Sequence, residues 1–317
     1  MQIAKDLTDL IGKTPMLALD RLYAGYKAKV YAKLELFNPM SIKDRPVFSM
    51  VKEAVKIGKI SSSIEVVEAS SGNTAIALAM LGVIMKFPVR IFISEEVTRE
   101  RRQVLASFGA RIVLTPAIEH TRGARERAIS YCRSNPNTTF FLNQHGNQHN
   151  SLAHQQTTAP EIWEQLDGNI DVAVMALGTC GTFDGISSYL KSRKETIEII
   201  GVEPAGSPLY SGGNQGKHKI DGMGPGFVSD LYKKAKVKPD KIMKIEDDEA
   251  FEWTRRVAIK EGLLVGLTSG ALAWAAHQFA RRAEYKGKTI VIIFCDTGER
   301  YLSVKDLFPM GDTTIIS

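Results

Sequence analysis

The chain has 317 residues, 44% hydrophobic and 24% charged, with a formal net charge of +6. That length buries a substantial core and favours two lobes, and the composition excludes disordered and fibrous classes. The densest basic groups, Arg99, Arg101, Arg102 and Arg281, Arg282, lie in stretches of helical periodicity with acidic neighbours, so solvated helix faces are expected rather than a nucleic-acid surface.

Short β-rich runs alternate with longer helical patterns almost throughout, the mark of stacked βαβ units, and the expected class is α/β with largely parallel sheets. Val30 to Leu36 reads as a strand with Val30, Ala32, Leu34 and Leu36 on one face and Tyr31, Lys33 and Glu35 on the other. Val47, Met50, Val51, Ala54 and Val55 then recur at helical spacing up to Gly58, which places Lys43 near a helix start. Ile64 to Ala69 reads as a buried strand, Ser70 to Asn73 as a polar turn and Thr74 to Met85 as an apolar helix. The alternation continues with strand 89–93, helix 100–108, strand 111–114 and helix 122–132. In the second half come strand 171–176, a Gly-Thr turn at 178–182, helix 183–191 and strand 197–203. Helices 247–261 and 271–283 and strand 289–295 complete the pattern. The Gly-, Ser- and Pro-rich segment 204–226 is long for a structureless loop, which points to a functional or moving element.

Several loops carry chemistry. Gly178-Thr179-Cys180-Gly181-Thr182 offers successive backbone N–H groups and two hydroxyls at a helix start, a combination that binds phosphate; a plain glycine turn is the alternative. It is not a Walker loop: Gly12-Lys13-Thr14 has the tail of one, but Leu7 stands where the first glycine belongs. Ser70-Ser71-Gly72-Asn73-Thr74 gathers donors suited to a carboxylate, where capping needs one such residue. Lys43 alone is an ordinary lysine between Ile42 and Asp44. With a phosphate cradle in the same chain, an amine that can form a Schiff base suggests a phosphorylated aldehyde, as in pyridoxal 5'-phosphate. His145, His149 and His154 have no cysteine or acidic companion at zinc-site spacing, so no metal is expected. Cys132, Cys180 and Cys295 form no CxxC pair, which argues against a disulfide scaffold and fits a reducing cytoplasm. Met1 to Asp6 shows no leader pattern, and no window is continuously apolar over a bilayer span, so neither secretion nor membrane insertion is expected.

Taken in order, these motifs resemble the fold-type II pyridoxal-phosphate enzymes, and among them the cysteine synthase and cystathionine β-synthase group. The resemblance runs through Ile11-Gly12-Lys13-Thr14-Pro15, Asn38-Pro39 with Ser41-Ile42-Lys43-Asp44-Arg45, and Glu68-Ala69-Ser70-Ser71-Gly72-Asn73-Thr74. It continues in Thr157-Thr158-Ala159-Pro160-Glu161-Ile162, Gly201-Val202-Glu203-Pro204 and Asp296-Thr297-Gly298-Glu299-Arg300-Tyr301-Leu302. It implies two lobes, each a mostly parallel twisted sheet flanked by helices, with the site in the cleft: residues 1–40 and 146–317 in the larger, 41–145 in the smaller. It implies Lys43 as covalent anchor and base, Asn73 on the ring hydroxyl, and Gly178, Thr179, Cys180, Gly181 and Thr182 around the phosphate. Thr268 or Ser269 would face the ring nitrogen, and Ser70, Ser71, Gly72 and Thr74, with Gln144 and His145, would meet the substrate. A hydroxyl on the ring nitrogen makes a weaker electron sink than a carboxylate would, which favours β-elimination and replacement. The implied reaction is L-cysteine formation from O-acetyl-L-serine and sulfide through an aminoacrylate.

The lysine loop has one residue fewer between Asn38 and Lys43 than the family pattern and lacks its glycine. Cys180 and Ala75 stand where glycines are usual, and His145 where phenylalanine is. These departures leave O-phosphoserine as an alternative donor, homocysteine as an alternative acceptor, and a serine or threonine deaminase or racemase as a different reaction. A non-enzymatic binding role, for example toward the tail of a serine acetyltransferase, is a further alternative. The resemblance also implies a homodimer.

Overall fold

The computed structural model describes residues 3–70 and 72–309. The first half of the chain forms β1 (Met16–Ala18), β2 (Lys29–Leu34), α1 (Asp44–Lys56), β3 (Glu65–Ala69), α2 (Asn73–Met85), β4 (Val89–Ser94), α3 (Arg99–Ser107), β5 (Arg111–Thr115), α4 (His120–Ser134) and β6 (Thr139–Phe141). The second half forms α5 (Gln148–Ala153), α6 (Ala159–Gln165), β7 (Val172–Ala176), α7 (Gly181–Arg193), β8 (Glu198–Pro204), α8 (Asp230–Lys234), β9 (Lys241–Ile245), α9 (Asp247–Glu261), α10 (Leu267–Ala280) and β10 (Thr289–Phe294).

The strands make two sheets, one ordered β1-β2-β10-β7-β8-β9 and a smaller one ordered β5-β4-β3-β6. Their strand pairings are parallel except that of β1 with β2. Parallel sheets need cover on both faces, and the sequence supplies it. Val172, Val174, Ile290 and Ile292 are fully buried in the centre of the larger sheet, and Val66, Val67 and Ile91 in the smaller. Each such side chain contributes about 1.5–3 kcal/mol by leaving water. Helix α2 is apolar all round and buried from Thr74 to Gly82, as a helix packed on two sides must be.

Each sheet has one place where the strand order reverses. In the smaller sheet it lies between β3 and β6, in the larger between β7 and β10. Loops leaving the carboxyl ends of strands diverge at such points and open a crevice. Ser70 and Gln144 follow β3 and β6, while Gly178 and Cys295 follow β7 and β10.

Two expectations are adjusted by packing. Strand β2 stops at Leu34 and a 3-10 turn covers Glu35–Phe37. The polar face of β2 is not solvated, because Lys33 and Glu35 are fully buried in an ion network. Helix α10 starts at Leu267, not at Ala271: Thr268 and Ser269 look like loop residues, but their hydroxyls bond outside the helix, and Gly270 lets α10 approach Thr254 of α9. The short elements β1, β6, β9, α5, α6 and α8 lie outside the periodic runs.

Candidate active site

One pocket is lined from both sheets. Its wall includes Lys43, Asn73, Gly178, Thr179, Cys180, Thr182 and Thr268 of the sequence-predicted residues, together with Gly222, Cys295, Asp296 and Tyr301. Gly181, Ser269, Ser70, Gly72, Thr74, Gln144 and His145 are not part of that wall, and Ser71 lies outside the described residues.

Lys43 occupies the cap position before α1. Asp44 closes the shortened loop by accepting from Met40 N at 2.7 Å and Ser41 N at 3.3 Å, and Ser41 Oγ accepts from Lys43 N at 3.2 Å. Burial lifts the Asp44 carboxyl to about 6. Behind the loop, Arg45 donates to both oxygens of Glu35 at 2.7 and 2.8 Å and to both oxygens of Glu161 at 2.7 Å. Lys33 Nζ also reaches Glu161, at 2.7 Å, and Asn38 Nδ2 reaches Glu35. This clamp holds the root of α1 while Lys43 Nζ itself has no hydrogen-bond or ion-pair partner among the described residues. Burial lowers the basicity of Lys43, opposed by Cys295, Asp296 and Cys180. A neutral amine is the nucleophilic form.

Opposite it, Gly178–Thr182 turns from β7 into α7. Cys180 caps the helix in the left-handed region at φ 65°, a conformation that glycine more often supplies. The first N–H groups of α7 have no carbonyl one turn earlier and point out of the helix end, the arrangement that holds phosphate. The backbone approaches closely here: a Cβ on Gly178 would strike Gly222 O, and one on Gly181 would strike Asn150 Oδ1. Tyr210 Oη donates to Gly178 O and Ser229 Oγ to Thr179 O, both at 2.6 Å. Thr182 Oγ1 lies 3.1 Å from His154 Nε2, whose Nδ1 meets Thr158 Oγ1 at 2.9 Å. His154 begins a π-helical turn, His154–Thr158, and burial drives its basicity far down, so the ring is a neutral hydrogen-bonding spacer.

On the smaller sheet, Thr74 Oγ1 donates to Gln144 Oε1 at 2.6 Å, and Gln144 Nε2 to Ala69 O at 3.3 Å. Glu68 ties the two loops together, accepting from Ala69 N at 2.8 Å and Gln144 N at 2.9 Å. Burial raises its carboxyl to about 7. Ser70 Oγ accepts from Gly72 N at 3.3 Å. Of the two hydroxyls considered for the ring nitrogen, Thr268 lines the pocket and donates to Asp221 O at 2.6 Å, whereas Ser269 Oγ accepts from Cys295 N at 2.9 Å.

Asp296 spans the cleft: its Oδ2 accepts from Asn73 Nδ2 at 2.6 Å and from Tyr301 Oη at 2.5 Å. Arg300 holds the other end of the Asn73 amide at 3.1 Å and Met40 O at 2.6 Å. In the sequence the 296–302 run stands only as a motif and His154 only as a weighed and set-aside metal ligand, while Asn150, Tyr210 and Ser229 carry no signal. What marks them, side chains bonded to the Gly178–Thr182 turn from elsewhere in the chain, exists only after folding.

An unpartnered amine, glycines too close to their neighbours to carry a Cβ, and a helix N-terminus in one pocket fit a phosphorylated carbonyl cofactor. The model of the pyridoxal-phosphate dependent enzymes matches residues 7–296. Cysteine synthase B of Campylobacter jejuni is 38% identical over 309 residues, covering 97% of this chain and all of that one. A probable cysteine synthase of Bacillus subtilis is 39% identical, covering 96% of this chain and 97% of its own. Among solved structures, cysteine synthase of Entamoeba histolytica superposes with a TM-score of 0.92 at 39% identity, over 98% of this chain and 92% of that one. An O-acetylserine dependent cystathionine beta-synthase of Helicobacter pylori superposes at 0.89 and 36% identity, over 96% and 98%. With the fold, the pocket and the full-length similarity in agreement, the chain belongs to the pyridoxal-phosphate dependent enzymes, in the branch of the cysteine synthases.

Proposed function

We propose that this chain forms L-cysteine from O-acetyl-L-serine and sulfide by β-replacement. The observation that carries the reading is Lys43: a free, deprotonation-prone amine in the same pocket as the glycine-rich start of α7. Pyridoxal phosphate, when bound, supplies the electron withdrawal that acidifies the substrate Cα–H and lets the β-substituent leave.

The chain's residues do the rest. Lys43 Nζ would hold the cofactor's carbonyl carbon and, as a neutral amine, would take the Cα proton. The N–H groups of Gly178 to Thr182 hold the phosphate, with Thr182 oriented by His154. Asn73, fixed at both ends of its amide by Asp296 and Arg300, meets the ring hydroxyl. Thr268 would face the ring nitrogen, a neutral hydroxyl where a carboxylate would hold a proton on that nitrogen, once its O–H turns from Asp221 O. Ser70, Ser71, Gly72, Thr74 and Gln144 take the α-carboxylate on the loops that Glu68 joins. The lobe boundaries 1–40 with 146–317, and 41–145, agree with strands of the smaller sheet falling within residues 65–141. A homodimer, a docking role for a serine acetyltransferase tail and a cytoplasmic location complete the reading; among the described residues no helix is long and apolar enough to cross a membrane.

The visible absorption spectrum of the purified protein tests it. A yellow band that shifts on adding O-acetyl-L-serine and returns with sulfide, and that Lys43→Ala abolishes, is the expected result. A colourless protein after incubation with pyridoxal phosphate overturns it.

A further inference from the structure

Next to Gln144, two buried nitrogens lack any hydrogen-bond partner: His145 Nδ1 and Arg125 Nε. Buried polar groups left unpaired are costly, and each calls for an explanation, a bound group among them. His145 is 4% exposed. Both side chains pack on one ring, His145 edge-on to Phe227 with centroids 4.7 Å apart and the Arg125 guanidinium carbon 5.7 Å from the Phe227 centroid. Arg125 otherwise reaches Asn143 Oδ1 at 3.2 Å and the Asp230 carboxylate at 3.7 Å through its terminal nitrogen.

Two bridges connect this cluster to the pocket. Ser229 Oγ donates to Thr179 O at 2.6 Å and to His145 O at 3.2 Å. Asn150 Nδ2 donates to Gln144 O at 2.7 Å and to Thr179 Oγ1 at 3.2 Å. Burial, with Arg125 and Lys43 adding to it and Asp230 opposing it, lowers His145 to about 3. The ring is therefore neutral at working pH and offers a single N–H, while Arg125 keeps a permanent charge.

We propose that His145 and Arg125 form a receptor for the small oxyanion that leaves the β-carbon of the amino-acid substrate. This rests on the reaction assigned above, where that oxyanion is acetate. The Cα proton passes to Lys43, the Cβ–O bond breaks, and its electron pair stays on the departing oxygen. The charge so formed accepts from His145 Nδ1–H and Arg125 Nε–H. Stabilising charge that appears only as the bond breaks favours the transition state over bound substrate.

Calorimetric titration of the holoenzyme with sodium acetate, and separately with sodium phosphate, tests the receptor. Saturating L-alanine fills the α-carboxylate loop, so that the oxyanion reads the β-side. The expected result is that the wild-type protein binds at least one of the two and that Arg125→Gln and His145→Phe each lower oxyanion affinity relative to L-alanine affinity by about tenfold, the loss of one charge-assisted hydrogen bond. Arg125→Lys, which keeps the charge, retains part of the binding and shows that the effect is not a folding defect. Tighter acetate identifies a carboxylate as leaving group, tighter phosphate a phosphate ester. No oxyanion binding by the wild-type protein, or equal binding by all variants, overturns the proposal. Absence of cysteine formation in a separate assay overturns the reaction and not the receptor.

Discussion

Asn73 Nδ2 donates to Asp296 Oδ2 at 2.6 Å, joining the residue that opens α2 to the residue just beyond β10. It ties the reversal point of the smaller sheet to that of the larger, and the same oxygen accepts from Tyr301. Asp296→Ala removes an acceptor shared by two donors. Loss of buried hydrogen bonds to a charged group costs about 1.5–3 kcal/mol each, so a lower melting temperature and weaker retention of pyridoxal phosphate during dialysis are expected. A variant that melts and retains cofactor like the wild type would show that Asn73 is oriented by Arg300 alone.

Gly181→Ala sets a methyl group against Asn150, and Gly178→Ala sets one against the Gly222 carbonyl. The second obstacle is backbone and cannot turn aside. Overpacking of this kind costs about 1–3 kcal/mol. Gly178→Ala is expected to raise the dissociation constant for pyridoxal phosphate by tenfold or more, measured by fluorescence titration of the apoprotein, with Gly181→Ala less affected because Asn150 is a side chain.

Two carboxylates, Glu161 partly buried and Glu68 fully so, act in opposite directions with pH. Burial pushes Glu161 up, but hydrogen bonds from Arg45 and Lys33 outweigh it and hold the carboxyl down to about 2 against an ordinary 4.5. Its contribution to stability is therefore full above 4.5 and is lost as the pH falls toward 2. Burial raises Glu68 from 4.5 to about 7, so the folded state binds its proton more tightly than the unfolded chain does, and a penalty accumulates as the pH rises from 4.5 through 7. The unfolding free energy from urea titration should fall for Glu161→Gln at neutral pH by about 3 kcal/mol, as expected when one partner of a largely buried pair is removed, and converge with the wild type near pH 2. Glu68→Gln should flatten the decline between pH 4.5 and 7. Parallel curves for all three proteins would contradict both assignments.

Arg101 of α3 pairs with Asp221 at 2.7 Å and lies over the Tyr301 ring at 5.3 Å, while Asp221 O receives Thr268. This contact pins segment 204–226 to the smaller sheet at the rim of the pocket. With Asp221 nearly half exposed, the ion pair is worth about 1 kcal/mol or less. Arg101→Ala is expected to shift the melting temperature little, to speed proteolytic nicking within 204–226 and to raise KM for the amino-acid substrate several-fold. Unchanged nicking would mean that Tyr210, Gly224 and Thr268 hold the segment without Arg101.

The α/β class and most of the long helices and strands were legible in the sequence because they rest on local periodicity: α9 begins and ends where its pattern does, and β7 and β10 are continuous apolar runs. The loops around Lys43, Ser70 and Gly178 stood out because glycine, hydroxyl and amide residues cluster there beyond what turns require, whereas the same signal at Thr268 falls in the first turn of α10. Lys33 and Glu35 were not legible, since an alternating pattern cannot tell water from a buried partner, which is Arg45 for Glu35 and, more than a hundred residues away, Glu161 for Lys33. Nor could spacing divide Thr268 from Ser269, adjacent hydroxyls that a helical turn sends toward Asp221 and Cys295 respectively. Composition and motif thus determined which chemistry the chain carries. The meeting of two strand-order reversals decided which residues face it, because hydrogen bonds such as Asn73 to Asp296 join segments that are close only in the folded state.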